Sequence, residues 1–275
     1  MARPTIAWMP VRHLHAIVEG RMAVEAWLEQ APAFGLQAVE IYHGFLSEQN
    51  LPSVKRTLER LGLQVSQITC APDFTNPDPA VRRREQEQMR QRVEWAQTLG
   101  ANAVRTTAGM LHPELAEEDG IRYAVEEMVK LAEYAVPLGV YPCYENHYRD
   151  RRWDKPDFSF EVERFLKIFE QIEPTEVRVN FDFANPLMTG ADPVALLKRV
   201  VHKVHHVHAG DRRMGEYQHC VLGEGQVPFR ELLTILREHG YTGYLSVEDG
   251  QAEGDEGFRR SLAFLRHAIE AVWGG

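Results

Sequence analysis

The feature that most constrains this chain is an alternation repeated eight times: a short apolar run rich in β-formers, then a longer stretch at helical period. The runs are TIAWM (5–9), AVEIY (38–42), VSQITC (65–70), AVRTT (103–107), VYPCYEN (140–146), VRVNFDF (177–183), VHHVHAGD (204–211) and YLSVED (244–249). Helix-like segments follow at roughly 21–34, 51–61, 79–99, 117–138, 159–171, 192–199, 228–239 and 257–272. Asp192-Pro193 supplies a helix start, with Pro at the first helical position. LGA at 99–101, HGY at 239–241 and the final WGG supply glycine stops. Strict strand–helix alternation predicts parallel strands joined by right-handed crossovers. Eight such units close a barrel with a filled interior. The competing architecture, an open doubly wound sheet, usually carries a Gly-rich first βα turn. The segment after Trp8, MPVRHLHA, has none. The expected fold is therefore an α/β single (β/α)8 TIM barrel spanning residues 1–275.

Its 275 residues suit one such barrel or two smaller domains, and no low-complexity linker divides them. A net charge of −9 argues against nucleic acid as a partner, since that affinity needs a basic footprint. Cys70, Cys143 and Cys220 are odd in number and lack CxxC spacing, so no disulfide framework is expected. The N-terminus lacks the long apolar region of a signal peptide, and no apolar run approaches a membrane span. A cytoplasmic protein with no membrane partner is the expectation.

The chemically unusual residues fall at the ends of runs five to eight. Glu145 closes VYPCYEN, Asp182 sits in VNFDFAN, His208 in HHVHAGD, and Glu248 ends YLSVED. In a barrel these C-terminal strand ends converge on one face, where active sites lie. Three carboxylates there repel one another, and burial raises their pKa values; a divalent cation removes the conflict. Three oxygens and one imidazole suit Mn²⁺ first, with Mg²⁺, Co²⁺ or Zn²⁺ as alternatives. Any one of these acids can instead cap a helix or pair with a cation. Four of them on four successive strands are what carry the metal reading. Side chains alternate along a strand, so His206 and His208 share a face and His205 takes the other.

With these pieces in view, the chain resembles the xylose-isomerase-like, or sugar phosphate isomerase/epimerase, superfamily over nearly its whole length. The matching stretches are YENH (144–147), FDFAN (181–185), VHHVHAGD (204–211), GEGQVPF (223–229) and GYLSVE (243–248). The resemblance implies Glu145, Asp182, His208 and Glu248 as metal ligands. In the ketose 3-epimerase branch it also implies the two glutamates as the catalytic acid–base pair, one on each substrate face. Asp211 then helps to set the sugar or the histidine. Two departures stand out: that branch commonly has His three residues after the aspartate ligand, where this chain has Asn185. It also has Arg six residues after the histidine ligand, where this chain has Met214, with Arg212 and Arg213 just before.

The chemistry expected of such a site is removal of a proton from carbon next to a carbonyl. That needs a positioned base and fixed positive charge where the enediolate oxygen develops. Return of the proton to the opposite face gives epimerisation, and return to the neighbouring carbon gives isomerisation. A leaving group β to the carbanion gives elimination. The expected function is a metal-dependent isomerase or epimerase of a sugar or sugar-like keto-polyol. The alternative is a carbon–oxygen lyase acting on a keto-sugar, inosose or keto-glycoside. A third class, phosphodiester hydrolysis as in the endonuclease branch, needs a basic DNA face and a richer metal set. Non-catalytic sugar binding is a fourth.

Further substrate-binding candidates are Glu40 and His43 after run two, His147 and Arg149 on a lid-like loop, Asn185, Asp211, and Arg213 with Arg212 as anion binders. Trp8 is a candidate sugar-stacking face. Each has a plainer alternative: Glu40 as an ion-pair partner, Trp8 as core, the arginines as a solvated loop. The substrate expected is a small carbohydrate. The resemblance leaves room for a homo-oligomer, and no exposed stripe identifies an interface.

Overall fold

A computed structural model describes residues 2–150 and 152–274. Eight parallel strands close a barrel: β1 (Thr5–Met9), β2 (Ala38–Tyr42), β3 (Gln64–Thr69), β4 (Ala103–Thr106), β5 (Tyr141–Glu145), β6 (Arg178–Asp182), β7 (Val204–Ala209) and β8 (Tyr244–Glu248). Each strand pairs with its neighbour in sequence, and β1 pairs with β8 from Thr5↔Tyr244 to Met9↔Glu248. Asp182 lies opposite His208, His208 opposite Ser246 and Glu145 opposite Asn180, so neighbouring C-terminal strand ends lie within two residues of one another in register.

The helices are α1 (Leu14–Val18), α2 (Val24–Leu28), α3 (Leu51–Leu61), α4 (Pro79–Leu99), α5 (Glu117–Ala135), α6 (Val162–Ile172), α7 (Pro193–Val200), α8 (Phe229–Glu238) and α9 (Gly254–Trp273). Local chemistry explains their ends. The Asp192 carboxylate accepts the Val194 N–H at 2.8 Å and caps α7, with Pro193 pre-set for the first turn. Asp78 does the same for α4 through Ala80, and Gly100 ends that helix in the left-handed region at φ 76°. The single helix expected over 21–34 is instead α2 followed by a 3-10 turn over Ala31–Phe34. Pro32 lacks the N–H that a continued helix needs, and Gly35 at φ 66° closes the turn.

The main apolar core lies between the strands and the helical ring. Trp8 is wholly buried there, stacked on Phe258 at 4.9 Å and edge-on to Trp27 and Phe34 at 5.6 and 5.2 Å. Barrel interiors are usually filled by branched apolar side chains. Here buried Glu40, Gln67, Thr69, Arg105, Asn180, His206 and Ser246 fall on the strands, and side-chain bonds join Glu40, Gln67, Thr69, Asn180 and His206. No helix among the described residues is long and apolar enough to cross a membrane.

Candidate active site

The site is built on the C-terminal ends of β5 to β8. Glu145 is buried at the end of β5, with its two oxygens divided: Oε1 lies 2.7 Å from His208 Nδ1, and Oε2 accepts Arg105 Nη1 at 2.8 Å. Asp182 is fixed by the turn that follows it, Oδ1 accepting the N–H groups of Ala184 and Asn185 at 2.7 and 2.6 Å. Its Oδ2 lies 3.9 Å from His208 Nδ1 and has no hydrogen-bond partner. Glu248 closes the cluster, with Oε1 3.8 Å from the same nitrogen and a buried Oε2 that has no hydrogen-bond partner and lies 3.9 Å from His219 Nε2. Asn146 ties β5 to β6: its amide donates to the Asp182 carbonyl at 2.9 Å and accepts the Asp182 N–H at 2.8 Å.

This donor set fits a divalent cation. Three carboxylates aim at one ring nitrogen, and two buried oxygens are left without hydrogen, which is costly unless a positive charge meets them. The second face of His208 is set for the same purpose. Glu40 Oε1 lies 2.8 Å from Nε2, so that nitrogen donates to a carboxylate and Nδ1 is the one turned to the cluster. Glu40 is held in turn by the Gln67 amide at 3.1 Å and by the Thr69 hydroxyl. Glu40, His206 and His208 also lie within ligating distance of one another. That group is sealed inside the barrel, with His206 bonded to Asn180 at 3.0 Å, whereas Glu145 and Glu248 line a cavity open to solvent.

Electrostatics follow from burial and proximity. Burial pushes Glu145 up, but Arg105 and His208 outweigh it and hold the carboxyl below its usual range. Burial also works against Glu248, yet His219, His208 and Arg212 bring it down. Asp182 goes the other way, raised well above its ordinary value by burial and by the charges of Glu248 and Glu145. Burial disfavours charge on His208, but Glu40 and Glu145 hold its proton on.

The cavity above the cluster is about 180 Å³. Met9, Val11, Leu14 and Val18 supply an apolar wall, and Arg105, His147, Arg149, Arg152, Arg212 and His219 supply cationic and imidazole groups. The loop after β5 faces it, as a lid would. That loop is tied down by the Asp157 N–H to the Tyr148 carbonyl at 2.8 Å and the Phe158 N–H to the Gly109 carbonyl at 2.7 Å. His147 borders the cavity, with Nδ1 3.3 Å from buried Asp157, and Asn185 borders it beside Asp182.

Four expected substrate contacts fall elsewhere. Trp8 is core, its indole N–H donating to Asp249 at 3.0 Å; the strand turns it outward to the helices, and Met9 takes the cavity. Glu40 lies beneath His208, wholly buried, and supports that ring. Asp211 accepts the N–H groups of Arg212, Gly223, Gly225 and Val227 at 2.8–3.1 Å and so pins the following loop. Arg213 points to solvent, 59% exposed, 3.9 Å from Glu216; Arg212 is the one turned inward. Arg105 and His219 went unnoticed in the sequence. Arg105 sits inside an apolar run, and a basic residue in the middle of a buried strand is the one signal that marks it.

The profile of a family described as xylose isomerase-like TIM barrel matches residues 28–268. An uncharacterised protein of Methanocaldococcus jannaschii is 28% identical over 223 residues, covering 74% of this chain and 71% of that one. An inosose dehydratase of Clostridium tetani is 28% identical over 107 residues, which is 33% of this chain and 36% of the dehydratase. The chain thus matches about a third of that enzyme's length. Among solved structures, a D-tagatose 3-epimerase-like protein superposes with a TM-score of 0.82 at 19% identity, covering 99% of this chain and 98% of the other. At that identity the likeness speaks to the fold.

Proposed function

The chain belongs to the xylose isomerase-like TIM-barrel family, and from that membership we propose that it is a divalent-metal-dependent isomerase or epimerase of a sugar-like keto-polyol. The single observation that carries this reading is the convergence of Glu145, Asp182 and Glu248 on His208 Nδ1 at the floor of an open cavity. These four residues would hold the ion. A divalent ion bound there supplies positive charge beside the substrate carbonyl, which acidifies the neighbouring C–H. Mn²⁺ is the ion we expect first.

The two glutamates are not equivalent. Both oxygens of Glu145 are engaged, by His208 and Arg105, whereas Glu248 Oε2 has no hydrogen-bond partner. Glu248 is therefore the better proton acceptor, and Glu145, ionised at rest, would have to take up a proton from solvent before delivering one to the other face. The apolar wall from Met9 to Val18 limits water at the carbanion.

One observation supports elimination as a second reading. His147 borders the cavity with Nδ1 taken by Asp157, leaving Nε2 as the ring atom free to reach a departing hydroxyl, to which only the imidazolium form would give a proton. The inosose dehydratase match points the same way.

The test is proton NMR of Mn²⁺-loaded protein in D₂O with a panel of ketoses, keto-glycosides and inososes. Deuterium entering next to the carbonyl, abolished by EDTA and by Glu248→Gln, is the expected result. Inverted product supports the epimerase and loss of water the dehydratase. No exchange with metal fully bound would remove both readings for those substrates.

A further inference from the structure

Arg212 differs from two other guanidinium groups at the cavity, buried Arg105 and exposed Arg152. Arg105 is matched by Glu145 at 2.8 Å and Asp150 at 3.8 Å, and Arg152 by Asp150 at 2.8 Å. Arg212 is 5% exposed and borders the cavity, and among the described residues no carboxylate lies within ion-pair distance of it. Its Nη2 is spent on His219 Nε2 at 2.8 Å, while Nε and Nη1 are buried without a hydrogen-bond partner. An arginine cannot shed its proton to escape such a site. Buried donors left unpaired on a charged group cost more than neutral ones, so something that enters the cavity is expected to meet them.

A second cation stands beside it. Arg149, on the loop after β5, and Arg212 both lie over the ring of Tyr217, at 5.4 and 5.0 Å. The Tyr217 hydroxyl donates to the Arg149 carbonyl at 3.2 Å, which ties the loops after β5 and β7 together at the mouth of the cavity. The position of Arg212 is fixed from behind by Asp211, whose carboxylate gathers four backbone N–H groups of its own loop. The buried donors are thus held in place beside the cavity, where the Arg212 charge also acts on Asp182 and Glu248.

We propose that Arg212, with Arg149 at the rim, receives a carboxylate on the substrate, so that the keto-polyol is a sugar acid and not a neutral sugar. This rests on the keto-polyol reading and narrows it. One buried guanidinium with spare N–H donors matches the single negative charge of a carboxylate. A phosphoryl group brings more charge and needs more donors than the buried part of the cavity offers.

The experiment is saturation-transfer NMR with D-glucuronate, D-glucose and D-glucose 6-phosphate as probes, on EDTA-dialysed protein so that no carboxylate binds through an ion. Glucuronate is expected to bind about tenfold or more tightly than glucose, in line with a charge-assisted contact. Arg212→Gln should abolish the preference, and Arg149→Gln, at an exposed position that leaves the fold intact, should weaken it about threefold. Equal affinity for acid and sugar overturns the proposal, as does a preference that survives Arg212→Gln or absence of glucuronate binding. Tighter binding of the phosphate overturns the carboxylate. Mn²⁺ titration of wild type against Asp182→Asn judges the metal reading separately, so failure of one is not mistaken for failure of the other.

Discussion

His208 meets a carboxylate on each ring nitrogen, and its protonation governs what the cluster does without a metal. Despite burial, Glu40 and Glu145 hold its proton above the ordinary 6.5, and Asp182 is likewise raised from 3.8. Each group therefore keeps its proton to higher pH than usual, and an incoming divalent ion has to displace whatever protons they hold. Titration with Mn²⁺ in two buffers of different ionisation enthalpy should therefore give different heats, and affinity should rise with pH. Identical heats would refute this. The stability signs agree: the raised groups contribute fully below their unfolded values and lose that contribution as pH rises through the folded ones. Glu145 is lowered from 4.5, so its part is present above 4.5 and lost as pH falls. Metal-free protein should thus lose melting temperature toward alkaline pH more steeply than metal-loaded protein. Arg105→Gln removes one of the two cationic partners of the buried Glu145 charge and should cost about 3 kcal/mol by urea unfolding. At this scale the sequence showed which acids and which histidine stand at strand ends, because position along a strand predicts where its end points. It did not show which of Arg212 and Arg213 turns inward, since a loop has no period. Trp8 is placed wrongly because a strand's alternation says that faces differ, not which face is the barrel interior; Glu40 does face inward, but lies two residues short of the end of β2 and so beneath His208.

Among elements, every strand expected from an apolar run is present, with ends moved by at most two residues, since apolar clustering is a strong signal for buried parallel strands. The segment 21–34 was over-read as one helix because its apolar spacing continues through Pro32, where backbone hydrogen bonding stops. The loop after β7 illustrates how an element can depend on one side chain. Asp211 takes four N–H groups, and Gly225 packs where a Cβ would strike the Asp211 carboxylate. Asp211→Ala should speed amide exchange across residues 212–227, read by mass spectrometry, and loosen Arg212 without touching the four proposed ligands. Unchanged exchange would show the loop to be held by other contacts. Trp8→Ala removes the centre of the aromatic cluster joining β1, α2 and α9, and should cost about 3–5 kcal/mol.

For the whole molecule, a bound ion stabilises the folded barrel by mass action, about 2.7 kcal/mol at a hundredfold excess over Kd. Chelation should lower the melting temperature of wild type and leave Asp182→Asn nearly unmoved; an equal drop in both would place the ion elsewhere. The barrel closes through β1 on β8, from Thr5↔Tyr244 to Met9↔Glu248, and this has a consequence for synthesis on the ribosome. Translation delivers Glu145, then Asp182, then His208, and Glu248 last. Until β8 emerges, β1 waits as the bare edge of an open sheet, a template for pairing with a neighbouring nascent chain. Ion capture by the full set belongs to the end of translation, and chains stalled before Tyr244 should neither retain the ion nor escape chaperones.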